Sequence, residues 1–324
     1  MAAAPRSPAE RDINLPKAAG AWQSPGPASL STVTRRGFVL FASLSIIWGM
    51  PYLFIKISVE SLSPGMIVFG RLLLAVVVLV PIVIARGQFG LLRGYWRWVF
   101  AFAIVEMTFT WWCLTYAEQH ISSSLTGLLI ATVPIMTALL AKATGLDDRL
   151  TGMRLLGMGV GFAGVVALVG LDVTSGAFLA VAALAVTAFG YALGPIIIAR
   201  QLSDIPALPV IAASLVINLV IYAPLAWITR PTEPVPASAW WSVAALGLLC
   251  TAVAFIIFFA LIAEVGPSRT TFITYINPAV AVILGVIVLS EPITLGIIIG
   301  FPLVLIGSWM ATRKAPAIES EPHS

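Results

Sequence analysis

Long apolar runs broken by short polar segments dominate the chain. Nearly charge-free stretches fall at about residues 37–57, 65–85, 96–117, 122–142, 152–171, 176–199, 207–229, 240–263, 270–289 and 293–312. Each is close to the ~20 residues a helix needs to cross the hydrocarbon layer of a bilayer. Turn-forming clusters separate them: Ser63-Pro64-Gly65, Arg86-Gly87, Asp147-Asp148, Asp204-Ile205-Pro206, Pro231 to Pro236, Gly266-Pro267 and Glu291-Pro292. The pattern predicts an all-α membrane protein of ten transmembrane helices. Residues 1–34, rich in Pro, Ala and Ser with mixed charges, are expected to form a disordered tail, and 314–324 a second short one. The first apolar run begins at Gly37 and is too long for the core of a cleaved signal peptide.

Composition agrees with that pattern. Of 324 residues, 60% are hydrophobic and 10% charged, against roughly 25% charged in soluble domains. A water-facing surface cannot be built from so few polar groups, whereas lipid requires only that each segment satisfy its own backbone. The net charge of +4 does not point to nucleic acid, because the basic residues sit in loops and form no stripe interleaved with stacking aromatics. Those loop charges set orientation instead. With both termini on one side, that side collects Arg6, Arg11, Lys17, Arg35, Arg36, Arg86, Arg93, Arg97, Lys142, Arg149, Arg154, Arg200, Arg269, Arg313 and Lys314. The opposite side holds Lys56 and Arg230, so both termini are predicted to be cytoplasmic.

The chain also repeats itself. Ser124-Leu-Thr-Gly-Leu-Leu-Ile-Ala-Thr-Val-Pro134 lies over Ser268-Arg-Thr-Thr-Phe-Ile-Thr-Tyr-Ile-Asn-Pro278 at a spacing of 144. One residue of slip later, Asp148-Arg-Leu-Thr151 lies over Glu291-Pro-Ile-Thr294, Gly157 over Gly300 and Gly164 over Gly307. A fainter match sets Trp48-Gly49 over Phe189-Gly190. Five helices make one unit, an odd number, so the copies must enter the membrane from opposite sides. The predicted organisation is a first five-helix repeat over 35–171 and an inverted second one over 172–313.

These residues resemble the EamA-type transporters of the drug/metabolite transporter superfamily. The resemblance rests on Trp48-Gly49, Lys56, Arg71-Leu-Leu-Leu and Pro134, then Gly266-Pro-Ser-Arg, Asn277-Pro278, Leu289-Ser-Glu291-Pro-Ile-Thr294, Gly300 and Gly307. It covers roughly residues 36–312 and implies a ten-helix exporter or permease of small metabolites, with a central cavity between the halves. Asp148 stands where the pattern usually has Glu. Glu106 is not part of the pattern.

An ionisable group inside the hydrocarbon layer is a candidate functional residue, because burying its charge is costly. Two lie clearly inside. Arg71 is about 6 residues below the outer end of its helix, roughly 9 Å deep, and Glu106 is near the midplane. They either form an ion pair, hold a substrate's charged groups between them, fix helix packing, or act separately. Trp48, Tyr52, Trp111, Trp112, Tyr191, Phe272 and Tyr275 are non-terminal aromatics that can line an apolar cavity or simply pack. Asn277 caps freed carbonyls or touches substrate, and Pro134 and Pro278, repeat partners, are expected to break helices near the substrate site.

Other motifs carry no function. Gly159-Val-Gly161-Phe-Ala-Gly164 matches the dinucleotide fingerprint but lacks its strand and its acidic residue, and within this apolar span Gly157-x-x-x-Gly161 reads as close helix packing. Cys113 and Cys250 form neither a disulfide framework nor a metal-ligand spacing. No phosphate-binding loop for ATP is present. The reading is a secondary transporter of small amphipathic or amino-acid-like metabolites, an exporter in the cell (inner or plasma) membrane, working by alternating access. No cofactor is expected, a monomer suffices, and the partners are lipid, a small-molecule substrate and protons, with Glu106 as the proton site. The alternative is a nucleotide-sugar or phosphate-ester carrier of the same superfamily; a membrane-embedded enzyme is a more distant one.

Overall fold

A computed structural model describes residues 34–145, 151–172 and 177–312, all within one compact unit. The expected tails and Asp148 lie outside the described residues. Ten helical segments follow one another: α1 (Arg35–Val59), α2 (Pro64–Ala85), α3 (Trp96–Glu118), α4 (Ser123–Ala143), α5 (Gly152–Asp172), α6 (Phe178–Gln201), α7 (Ala207–Ile228), α8 (Ala237–Val265), α9 (Ile273–Leu289) and α10 (Leu295–Thr312). All but α9 are long and apolar enough to cross a bilayer; α9 has 17 residues and follows the short helix Pro267–Thr270.

Local chemistry explains the boundaries. The Ser63 hydroxyl accepts from Met66 N at 3.2 Å, with Pro64 as the first helical residue of α2. Ser122 caps α4 in the same way through Leu125 N at 3.2 Å. Gly266, at φ 81°, ends α8, a conformation that a side chain disfavours. Ser290, at φ 56°, ends α9 in that region without the freedom of glycine, at about 1–2 kcal/mol.

The helices are not uniform. α1 is broken at Met50 before Pro51, and α4 at Ala131–Thr132 before Pro134. Pro195 and Pro278 lie inside continuous helices, as do Pro81, Pro224 and Pro302. Pro278 therefore does not break its helix as expected; the interruption comes earlier, at Thr271–Phe272. α3 and α8 each contain a π-helical segment, Ala103–Phe109 and Ala245–Val253. Such segments often mark functional positions.

Packing follows a rule of pairs. α5 lies against α10, α2 against α7 and α4 against α9. The other main pairings come in twos: α1 with α8 and α6 with α3, α2 with α8 and α7 with α3, α1 with α9 and α6 with α4. The α5–α10 seam is built on glycine. A Cβ at Gly157 would lie 2.8 Å from Gly307 O, and one at Gly164 would lie 2.9 Å from Gly300 O. Gly161 and Gly164 of the false fingerprint lie in this seam with Gly157, Gly300 and Gly307, as a close helix crossing requires, whereas a Cβ at Gly159 would meet nothing within 4 Å. The weaker match of Gly49 with Gly190 is not mirrored in packing: Gly49 meets Val280 and Asn277 of α9, Gly190 meets Thr110 and Val105 of α3.

The outward faces carry Phe162, Phe178, Val220, Trp227, Trp241 and Ile287, each more than two-thirds exposed apart from Leu and Ile neighbours that are about half exposed. A surface of that kind is stable only against lipid.

Candidate functional site

Arg71 of α2 is the centre of the buried polar chemistry. Only 8% of it is exposed, and it lies where helices from both halves converge. Its Nε donates to the Thr251 hydroxyl of α8 at 2.8 Å, and its guanidinium carbon sits 3.8 Å from the centroid of the Trp111 ring of α3. Tyr52 of α1, Tyr191 of α6 and Cys250 of α8 lie within electrostatic reach. Stacking on an indole and a hydroxyl partner hold the guanidinium without neutralising it. Five helices thus meet at one cation.

The π-helical segments position this site. A π turn leaves carbonyls without their usual partners, and here side chains supply them. Thr251 Oγ1 donates to Leu246 O at 2.8 Å, and so presents its lone pairs to Arg71. In α3, Thr108 Oγ1 lies 3.3 Å from Ala103 O and 2.5 Å from Asn218 Oδ1 of α7. Asn218 Nδ2 donates back to Ala103 O at 3.1 Å, and the Tyr222 hydroxyl donates to Thr108 O at 2.5 Å.

Glu106 is within the α3 π segment, with its carboxylate against Gly194 of α6. Any Cβ at position 194 would collide with it, so the glycine makes the room. Its Oε2 is buried without a hydrogen-bond partner, and Tyr191 is within electrostatic reach of it as well as of Arg71. The expected alternative of a direct Arg71–Glu106 ion pair is not formed. Among the described residues the pair Arg36–Glu264, at 3.7 Å, is the ion pair present.

A match to a family model decides the identity. The model described as "EamA-like transporter family" fits twice, over residues 35–170 and 176–313. The chain belongs to this family. EamA-like relatives include the uncharacterized transporter YoaV of Bacillus subtilis, 23% identical, covering 83% of this chain and 94% of that one. The uncharacterized inner membrane transporter YedA of Escherichia coli K12 is 27% identical over 86% and 94%, and an uncharacterized transporter of Archaeoglobus fulgidus 27% over 86% and 99%. One protein crystal structure superposes with a TM-score of 0.63 at 19% identity, over 85% of this chain and 96% of that one, which shows the fold. The protein is a multi-pass membrane transporter.

The other expected site residues of this EamA-like chain lie elsewhere. Trp48 packs on Phe255 and Phe258 of α8, with ring centroids 6.2 and 5.0 Å away. Trp112 stacks at 6.4 Å on Tyr222, on the α7 side of α3. The Tyr275 hydroxyl pairs with the Thr312 hydroxyl at 2.6 Å, tying α9 to α10. With its amide turned to satisfy its neighbours, Asn277 donates to Ser45 O at 3.0 Å and Ile273 O at 3.1 Å, joining α9 to α1. Pro134 is the second residue of the second part of α4, which begins at Val133.

Sequence reasoning missed Thr251, Asn218, Thr108 and Glu118. Thr251 stands 143 residues after Thr108, and Leu246 143 after Ala103. Extending the repeat register into α3 and α8 finds this pair of threonines, though not Asn218 of α7. Glu118 was passed over because α3 was expected to end at 117; the helix includes it and buries it.

Proposed function

We propose that this EamA-like protein is a secondary transporter that exports small amphipathic, amino-acid-like metabolites by alternating access, with the substrate held at Tyr52, Arg71, Glu106 and Tyr191. The observation that carries this reading is the unneutralised, buried Arg71 at the junction of α1, α2, α3, α6 and α8. A scaffold gains nothing from such a cation, which suits a carboxylate arriving with substrate. Tyr191 between Arg71 and Glu106 supplies a polar face for the body of the ligand.

Ten crossings in two inverted halves are part of the proposal. Its support is the reciprocity of contacts. If each helix is exchanged for the one five places on, the nine pairings given above map onto themselves or onto one another, while the lesser α4–α10 contact has no comparable α5–α9 counterpart. The Gly157–Gly307 contact maps onto Gly300–Gly164. Pro51 and Pro195 are 144 apart, Pro81 and Pro224 143, and Pro134 and Pro278 144. The short α9 and the preceding Pro267–Thr270 helix together have the length of one crossing.

The test is counterflow in proteoliposomes with a panel of amino acids, amines, nucleosides and dyes. Wild type moves at least one compound. Arg71→Gln slows it at least about tenfold, the loss expected when charge-assisted hydrogen bonds worth about 1.5–3 kcal/mol disappear. An unchanged rate for folded Arg71→Gln removes Arg71 from the substrate site, and a folded wild type that moves nothing overturns the transport reading.

A further inference from the structure

Glu118 closes α3 at the end that the basic-residue count assigns to the outside. Its side chain is fully buried, and neither carboxylate oxygen has a hydrogen-bond partner. The groups around it are already engaged. Lys56 of α1 is the nearest cation, but its Nζ donates to the backbone carbonyls of Glu118 at 2.7 Å and Ile121 at 2.8 Å. It makes no ion pair with the carboxylate.

Glu291, from the turn between α9 and α10, is the second acidic group acting on Glu118. Its Oε1 accepts from Ser123 N at 2.7 Å, and its Oε2 from Ser124 N at 2.9 Å and the Ser124 hydroxyl at 2.5 Å. This clasp ties the second half to the N-terminus of α4, and the positive φ of Ser290 aims it there. Tyr52, one turn before Lys56, also lies within electrostatic reach of Glu118. The other helices packed on α3 bring Arg71 from α2 and Tyr191 from α6, which act on each other and at Trp111 and Glu106, deeper along α3, and Tyr222 from α7, whose hydroxyl donates to Thr108 O. From α4 come the hydroxyls of Ser123 and Ser124, and Ser123 Oγ is itself buried without a partner.

An ionised carboxylate in that setting has no donor to replace water and is costly by several kcal/mol. A bound proton removes the charge without any change in packing. The scaffold does not require a carboxyl there. The position 143 residues on, in the second copy, is Leu261, and it is equally buried. Water comes close: a pocket of about 480 Å³ at the same end is lined by Gln119, the next residue, together with Glu60, Arg230 and Glu233.

We propose that Glu118 is a proton-binding site of this transporter, covered by the Glu291 clasp and reached from the adjoining pocket when the clasp parts. The step is the transfer of one proton from a hydronium ion to the carboxylate: an O–H bond of the hydronium breaks, leaving water, as the carboxyl O–H forms and the negative charge is neutralised, and the reverse occurs on release. Use of that proton to drive export rests on the transport reading above; its binding does not.

The experiment is infrared spectroscopy of purified, reconstituted protein at neutral pH. Glu106→Gln first removes the other buried acid that lacks a partner. Its spectrum keeps a protonated-carboxyl carbonyl band that shifts in heavy water, and Glu106→Gln/Glu118→Gln loses it. Glu118→Leu, which copies the second half, provides a second variant in the same background and should lose the band as well. If Glu106→Gln does not fold, the same band is read as the difference between wild type and Glu118→Gln. Identical spectra with and without the Glu118 carboxyl overturn the proposal. The readout needs no transported compound, so it stands or falls apart from the flux assay.

Discussion

Gly307→Ala puts the α5–α10 seam to a quantitative test. A Cβ at position 307 would lie 2.6 Å from Gly157 O and closer still to the backbone of Gly161. The obstacle is backbone on a facing helix, so no rotamer change relieves it. The nearest atom is Gly161 N at 2.2 Å, so ordinary contact at 3.4 Å requires a separation of 3.4 − 2.2 = 1.2 Å along that line. A gap of only about 0.5–1 Å already forfeits roughly a quarter to a half of each dispersion contact nearby. The most extensive helix pair in the molecule is the one that parts. Overpacking of this kind destabilises by about 1–3 kcal/mol, and we expect the upper end. Gly159→Ala and Gly170→Ala are the controls, because nothing lies within 4 Å of their added carbon. Removing glycine from a helix interior there stabilises by up to about 1 kcal/mol. Thermal unfolding of the purified protein in one detergent reads all three. Gly307→Ala as stable as the controls would refute the packing argument.

Further outcomes follow from the polar core. Thr251→Val removes the acceptor of Arg71 Nε and the donor to Leu246 O, and should destabilise by about 2–3 kcal/mol by thermal unfolding, with Thr251→Ser restoring most of it. Asn218→Leu leaves Ala103 O and the Thr108 hydroxyl without their α7 partner, a loss of about 1–3 kcal/mol in the same assay. Gly194→Ala drives a methyl into the Glu106 carboxylate, so it should lower stability in wild type and much less in a Glu106→Ala background, a coupling read by a double-mutant cycle. Glu291→Gln weakens the clasp on Ser123 N and Ser124 N, and should raise the reactivity of a cysteine introduced at position 123 toward a water-soluble maleimide.

Hydropathy and the repeat made the scaffold legible, because each helix had to be long, apolar and self-satisfied. The glycine seam was also readable, since Gly157, Gly164, Gly300 and Gly307 recur in register and only close backbone contact accounts for them. Arg71 stood out because charge is costly in lipid. The partners of Arg71 were not readable from its own sequence neighbourhood. Trp111 is one of several mid-helix aromatics that the sequence does not rank, Thr251 is an ordinary residue within an apolar run, and nothing local marks a π turn that redirects a threonine by one position. Aromatic residues misled for a related reason. Trp48, Trp112 and Tyr275 sit mid-helix as Tyr52 does, but helical position fixes depth and leaves open which neighbour a face meets. Pro278 was expected to break its helix because the missing N–H disrupts a turn; the helix continues through it, and the break falls at Thr271–Phe272.

The chemistry collects where the two copies differ. In the shared register, Thr108 and Thr251 both bridge a π turn, to Ala103 O and Leu246 O, so the frame is common to both. The groups that meet those threonines are not. Thr251 receives Arg71 from α2, and Thr108 receives Asn218 from α7. The counterpart of Arg71, 143 residues on, is Ser214, which bonds Val210 O within its own helix at 2.8 Å. The counterparts of Glu106 and Glu118 are Leu249 and Leu261. Arg71, Glu106 and Glu118 therefore all belong to the first copy, set in a frame whose second copy has Ser214, Leu249 and Leu261 at those places. Symmetry of the frame is what two interchangeable conformations require, because the same packing must serve with the roles of the halves reversed. On the proposed transport reading, substrate and proton are bound by Arg71, Glu106 and Glu118, which are not duplicated, while the paired glycines and prolines belong to the common frame.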